Sequence, residues 1–148
     1  MLGIDAIHAA CEYDVYTHQA ATDTPVCARL ELLVEQHPDA LFILTTRDID
    51  SWLDSIAYHM ANSNLRSRSF REREYLQCRK KLYGSVNFNA YYYEQGFKEY
   101  HALVDSLFAE RESQLLRYPL VDGAGWGPLC QFLGLPQPGW EFPIENAR

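Results

Sequence analysis

The sequence predicts a three-layer α/β domain with a parallel sheet, and three observations carry that prediction. The apolar run Leu41-Phe-Ile-Leu-Thr-Thr46, bounded by Pro38-Asp39 and Arg47-Asp48, has the length and composition of a buried strand. Directly after it, Trp52, Leu53, Ile56 and Ala57 recur at spacings near three and four, the period of a helix with one apolar face. Short strand patterns alternate with such helical patterns along the chain, with no repeats and no linkers, so residues 1–148 read as one domain.

The elements follow in order. Ile4 to Ala9, after Gly3, is a short apolar strand, and His18 to Thr22 is a second one that ends at Asp23-Thr24-Pro25. From Val26, the positions Ala28, Leu30, Leu33 and Val34, with Glu31 and Glu35 between them, give a helix that stops before Pro38. The Leu41 to Thr46 strand leads into a helix that opens at Asp48 and dissolves in Asn62-Ser-Asn64, with Trp52 in the core. Phe70 to Tyr83 is a further helix closed by Gly84. Tyr91 to Glu112 is a long helix with Tyr93, Phe97, Tyr100, Leu103, Val104, Leu107 and Phe108 on one stripe. Its Tyr91-Tyr-Tyr93 start is either a base-stacking platform or, as is usual for aromatics on a helical stripe, core. Gln114 to Leu120 is the last strand, Asp122-Gly-Ala-Gly125 a turn, and Trp126 to Leu133 a short helix capped by Gly134. The tail, with Pro136, Pro138 and Pro143, is extended and lies over the body.

Composition narrows the function. A hydrophobic content of 47% in 148 residues is ample for a core. The net charge of -7 argues against a general binder of nucleic acid or anionic membrane. Seven of the 13 basic residues nevertheless crowd into Arg66, Arg68, Arg71, Arg73, Arg79, Lys80 and Lys81. That patch is either the wall of a site for an anionic ligand or, the better expectation, the solvated face of a helix with Glu72 and Glu74 as partners. No segment has the 18 or more apolar residues of a membrane span, and the N-terminus lacks the regions of a signal peptide, so the expected location is cytoplasmic. Cys11, Cys27, Cys78 and Cys130 form no CxxC pair and fit reduced thiols. His8, Cys11 and His18 have a spacing that fits no closed zinc site, so no metal is expected.

The strand-to-helix junction at Arg47 is the candidate site. Ligands of open α/β sheets bind at the carboxyl ends of the strands, and a guanidinium beside a helix N-terminus matches the oxygens of a phosphate. Ser55 lies roughly 80° around the helix from Arg47, so its hydroxyl can face the same ligand. The competing reading pairs Arg47 with Asp50 or Asp54 and leaves Ser55 as an ordinary helical serine.

Two motifs break that tie. Phe42-Ile-Leu-Thr-Thr-Arg-Asp-Ile-Asp-Ser-Trp-Leu-Asp-Ser55 and Gly125-Trp-Gly-Pro-Leu-Cys-Gln-Phe-Leu-Gly134 occur in order, and Phe142-Pro-Ile-Glu-Asn146 follows the second. With them the chain resembles a PAPS-dependent sulfotransferase, from Gly3 to Asn146, of the P-loop branch with an "ILT.RD...W..S" junction and a "GW.PLC.FLG" element. The resemblance implies a P-loop sulfotransferase-like parallel sheet. It implies that Arg47 and Ser55 hold the 3′-phosphate of PAPS, the co-substrate. It places Asp23 at the end of a strand lining the cleft, as the base that activates the acceptor or as a cap for the helix that follows. It also puts the Arg66 to Lys81 patch and Tyr91 to Tyr93 beside the cleft. The expected reaction moves a sulfuryl group from PAPS to a hydroxyl or amine of a small-molecule or glycan acceptor.

One family element is missing from these residues. Relatives carry a strand and a glycine-rich phosphate loop, "G..RTGT.S", ahead of the Leu-Gly that stands here at Leu2-Gly3. No such loop occurs in this sequence. The expectation is a domain truncated at its N-terminus, without the first strand and phosphate loop. Three functions compete: a sulfotransferase, a catalytically inactive homologue acting as a nucleotide-binding or protein-interaction module, and a structural domain that forms a homodimer through unpaired strands.

Overall fold

The computed structural model describes residues 4–8, 19–62 and 70–143. Four strands and six helices of four or more residues alternate among them: β1 (Ala6–His8), β2 (Ala20–Thr22), α1 (Thr24–Cys27), α2 (Leu30–Gln36), β3 (Phe42–Thr45), α3 (Ile49–Asn62), α4 (Phe70–Tyr83), α5 (Ala90–Phe108), β4 (Leu115–Tyr118) and α6 (Trp126–Leu133). The result is a mixed α/β fold, mostly helical, with short parallel strands.

The strands form two separate pairs. β1 lies parallel to β2, with Ala6 opposite Ala20, and β3 lies parallel to β4, with Phe42 opposite Leu115 and Thr45 opposite Tyr118. Among the described residues no strand joins one pair to the other. Parallel strands are connected by helical crossovers, and here α3, α4 and α5 carry the chain from β3 to β4.

Two clusters make the interior. In the first, Leu30 and Val34 of α2 meet Val104 and Phe108 of α5, with Phe42 and Leu44 of β3, Leu115 of β4 and Tyr100 packed around them. Phe42 and Leu44 share one sheet face because side chains alternate along a strand, while Leu41 and Ile43 on the other face remain 46% and 41% exposed. The second cluster is aromatic and joins α3, α4 and α5. Tyr93 stacks on Tyr83 at 4.4 Å between ring centroids, and Trp52 lies 5.0 Å from Phe97. Gly96 lets the end of α4 come this close, since a Cβ there would lie 2.3 Å from the carbonyl oxygen of Leu82.

Most elements stand where their patterns put them, and the differences have local causes. α4 spans the residues expected and ends at Gly84, whose φ of 66° is the left-handed conformation that stops a helix cheaply. The helix expected from Val26 is two helices instead, with α1 beginning earlier, at Thr24, and a break at Ala28 and Arg29. The long helix stops at Phe108 rather than Glu112, and a 3₁₀ turn over Glu112–Gln114 leads into β4. In the tail Phe142 packs edge-on against Trp126 at 4.7 Å, and the Trp126 Nε1–H donates to the Trp140 carbonyl at 3.0 Å. Tyr118 Oη donates to the Gly125 carbonyl at 2.6 Å. The "GW.PLC.FLG" element is thus a latch that ties the tail to the carboxyl end of β4.

The basic stretch is not a uniform solvated face. Arg66 and Arg68 lie outside the described residues, Arg73 and Lys80 are exposed, and Arg79 is buried. Cys27, Cys78 and Cys130 are free thiols, and Cys11, His18 and the rest of residues 9–18 lie outside the described residues. No described helix is long and apolar enough to cross a membrane.

Candidate functional site

Arg47 stands just past the carboxyl end of β3, in the link to α3, and is half-buried. The link is fixed from both sides. The Thr46 N–H donates to the Tyr118 carbonyl at 2.8 Å, which extends the β3–β4 pairing up to the arginine. On the helix side Asp48 accepts the Ser51 N–H through Oδ1 at 3.0 Å, satisfying one of the amides that a helix start leaves unpaired.

The side chain of Arg47 is held by a residue that the motif reading did not single out. Its Nε donates to Ser51 Oγ at 2.6 Å. That bond occupies one edge of the guanidinium, and the Nη groups have no hydrogen-bond partner among the described residues. Neither Asp50 nor Asp54 forms an ion pair with Arg47, so that part of the competing reading of the junction is not realised. Ser55 is half-buried and forms no hydrogen bond with Arg47. It follows Ser51 by four residues, however, so the two serines share one face of α3. The arrangement is a row in which Ser51 orients the guanidinium and Ser55 stands one turn further along. The four-residue spacing from Arg47 to Ser51 was the available sequence signal for this.

Asp23 stands at the equivalent position of the other strand pair, just past the carboxyl end of β2. It caps α1, with Oδ1 accepting the Thr24 N–H at 2.6 Å and the Thr24 hydroxyl at 3.2 Å. Its backbone has φ 93° and ψ 179°, the only positive φ of a non-glycine residue among those described. That region is nearly reserved for glycine, and holding an aspartate there costs about 1–3 kcal/mol. Strain of that kind persists where the surroundings over-determine it, and it marks Asp23 beyond what a cap requires. Thr24 Oγ1 also reaches Tyr75 Oη of α4 at 3.3 Å, tying the corner to the helical layer.

The helical wall behind this corner is polar and closed. Arg29 pairs with Glu74 across α2 and α4, both largely buried. Burial raises the Cys27 thiol, opposed by a hydrogen bond from Tyr100, and burial likewise holds the Tyr83 and Tyr100 hydroxyls well above the ordinary phenol range. The Cys27 thiol and these two phenols therefore stay protonated near neutral pH. Among the described residues no cluster of His, Cys, Asp and Glu has the geometry to hold a metal ion.

Arg47 and Asp23 therefore share a topological address, the carboxyl ends of parallel strands, and belong to different strand pairs.

Comparison with known proteins bears on the family. A family model described as a sulfotransferase domain matches residues 11–148. The Ava biosynthesis cluster protein M of Aspergillus versicolor is 28% identical over 152 residues of alignment, covering 89% of this chain and 54% of that protein. The chain spans about half the length of that curated relative.

Proposed function

The chain belongs to the sulfotransferase domain family, and on that premise we propose that it grips PAPS, or its product PAP, by the 3′-phosphate through Arg47 and Ser55. The observation that carries this reading is the guanidinium of Arg47, which is fixed by Ser51 on one edge and has its remaining N–H groups unspent beside the start of α3. A phosphate accepts such a fork of donors well, and the helix N-terminus adds to the attraction.

In the transfer itself, an acceptor oxygen or nitrogen attacks the sulfur of PAPS. The bond from sulfur to the bridging phosphate oxygen breaks, PAP departs, and the acceptor's proton goes to a base. Asp23 is the base in this proposal, because it stands at a strand's carboxyl end in a strained conformation that capping alone does not demand. Positioning supplies much of the acceleration, so fixing the nucleotide by the phosphate that does not react is part of catalysis.

The finer fold is part of the same proposal. The two strand pairs are the outer members of one parallel sheet, and a strand with its glycine-rich loop, seated between β2 and β3, would cradle the 5′-phosphosulfate. The separation of the pairs supports this, since parallel strands normally belong to larger sheets buried within α/β folds.

Calorimetric titration with PAP tests the reading. Arg47→Ala is expected to weaken binding by about tenfold or more, the loss of a charge-assisted contact. Equal affinity in the variant, or no binding to the unsubstituted chain at millimolar PAP, rejects the site. Binding without turnover on any acceptor favours the catalytically inactive homologue.

A further inference from the structure

α4 carries a charge where a charge is poorly tolerated. Arg79 is 2% exposed, and neither of its Nη groups has a hydrogen-bond partner among the described residues. Its guanidinium carbon lies 4.8 Å from the centroid of the Tyr75 ring. A cation–π contact offsets only part of the loss of hydration, and an arginine cannot escape by giving up its proton. Tyr93 repeats the pattern across the interface on α5, being 0% exposed with its hydroxyl unpartnered. Tyr93 stacks on Tyr83 at 4.4 Å, and Tyr83 follows Arg79 by one turn of α4, so all three groups lie along one stretch of the α4–α5 interface, where the positive charge of Arg79 opposes the burial that raises both hydroxyls. Tyr75, whose ring faces Arg79, has its hydroxyl 3.3 Å from Thr24 Oγ1, beside Asp23. The compartment therefore reaches the corner where the base stands.

We propose that Arg79 and Tyr93 form a binding site for an oxyanion, a carboxylate or sulfate group carried by the acceptor. The unspent donors are the N–H groups of two Nη atoms and one phenol hydroxyl, which match two or three oxygens of such a group and also restore the missing partners of a buried cation. The acceptor is then an anionic molecule, held by its charged substituent behind Asp23 while its hydroxyl or amine meets the donor. Assigning the anion to the acceptor rests on the sulfotransferase reading; the anion site does not. Because Arg79 is almost wholly enclosed, the site must open to admit its ligand, and association is expected to be slower than at a surface site.

Thermal unfolding of the full chain in sodium sulfate, against sodium chloride at matched ionic strength, tests the site. Sulfate also stabilises proteins by exclusion from their surfaces, an effect that does not saturate and that the variants share. The expected result is a saturable rise in Tm in the unsubstituted chain and equally in Arg47→Ala. In Arg79→Met the saturable rise should require about tenfold more sulfate or vanish, and this variant should unfold at a higher temperature than the unsubstituted chain without sulfate, since it removes an uncompensated buried charge. Tyr93→Phe should weaken the sulfate effect by about threefold and provides the second readout should Arg79→Met fold poorly. A saturable rise in Arg79→Met or Tyr93→Phe at the same sulfate concentration as in the unsubstituted chain, or none in the unsubstituted chain, overturns the site. Sulfate that competes with PAP and loses its effect in Arg47→Ala overturns the acceptor assignment, because the anion then sits at the nucleotide's phosphate. Loss of PAP binding with the Arg79-dependent rise intact would reject the nucleotide reading alone.

Discussion

Arg47 and Arg79 both lack a carboxylate partner among the described residues, yet their surroundings differ in every other respect. Arg47 is half-buried at a strand end, with one edge held by Ser51 and the rest open to a ligand. Arg79 is enclosed between helices, with the Tyr75 ring face beside it and no hydrogen-bond partner for its Nη groups among the described residues. The strand ends present prepared donors at a surface, whereas the helical interior stores an unpaired cation. The first arrangement costs little when empty. The second is destabilising until something fills it, so an anion at Arg79 should register in stability while one at Arg47 should register chiefly in affinity.

The sharpest way to break this contrast is to separate the two jobs of Asp23. Asparagine caps a helix about as well as aspartate but cannot take a proton. Asp23→Asn should therefore leave stability within about 0.5 kcal/mol while turnover of a sulfotransferase-competent form falls by about a hundredfold or more. A variant that loses stability and keeps its rate would make Asp23 a cap alone, and the strand ends would then hold only a nucleotide grip.

The helical interior can be probed without touching its charge. In Gly96→Ala the new methyl group would meet the Leu82 carbonyl oxygen and the Tyr83 backbone. The gain in helix propensity is smaller than this clash, so denaturant unfolding should show a net loss of about 2 kcal/mol. An unchanged midpoint would mean that α4 and α5 are not tightly apposed, and the enclosure of Arg79 would go with it.

The smallest effect concerns pH. His101 stacks on Phe97 at 4.2 Å, and burial, aided by Arg117, lowers its pKa below the ordinary imidazole value. The folded state thus favours neutral His101. Its contribution to stability is present above the unfolded-state pKa of about 6.5 and is lost as pH falls through the lower folded-state value. His101→Phe should flatten the fall in Tm between about pH 7 and pH 5, a window in which few other groups begin to titrate. A slope unchanged in the variant would remove His101 from the account.

How much of this could be read from the residues follows the same division. The strand at Leu41 to Thr46, the helix from Phe70 to Tyr83 and the cap at Gly134 were legible because a length, a period or a glycine marks each. The end of α5 at Phe108 was not, since Ala109-Glu-Arg111 contains no residue that stops a helix and the halt is set by the return into β4. Arg47 announced itself by its place after an apolar run, and Ser51 could have been found from its spacing. Arg79 could not. α4 has no apolar face of its own, with charges all round it, so its sequence does not say which of its cations turns inward, and that is decided by Tyr75, Tyr83 and Tyr93 from three turns and a neighbouring helix.

The 3′-phosphate grip at Arg47 is the central claim, and its most direct test compares PAP with adenosine 5′-phosphate, which lacks that phosphate. The account predicts that the unsubstituted chain prefers PAP by about tenfold or more and that Arg47→Ala binds the two nucleotides alike. A preference for PAP that persists in Arg47→Ala would contradict it.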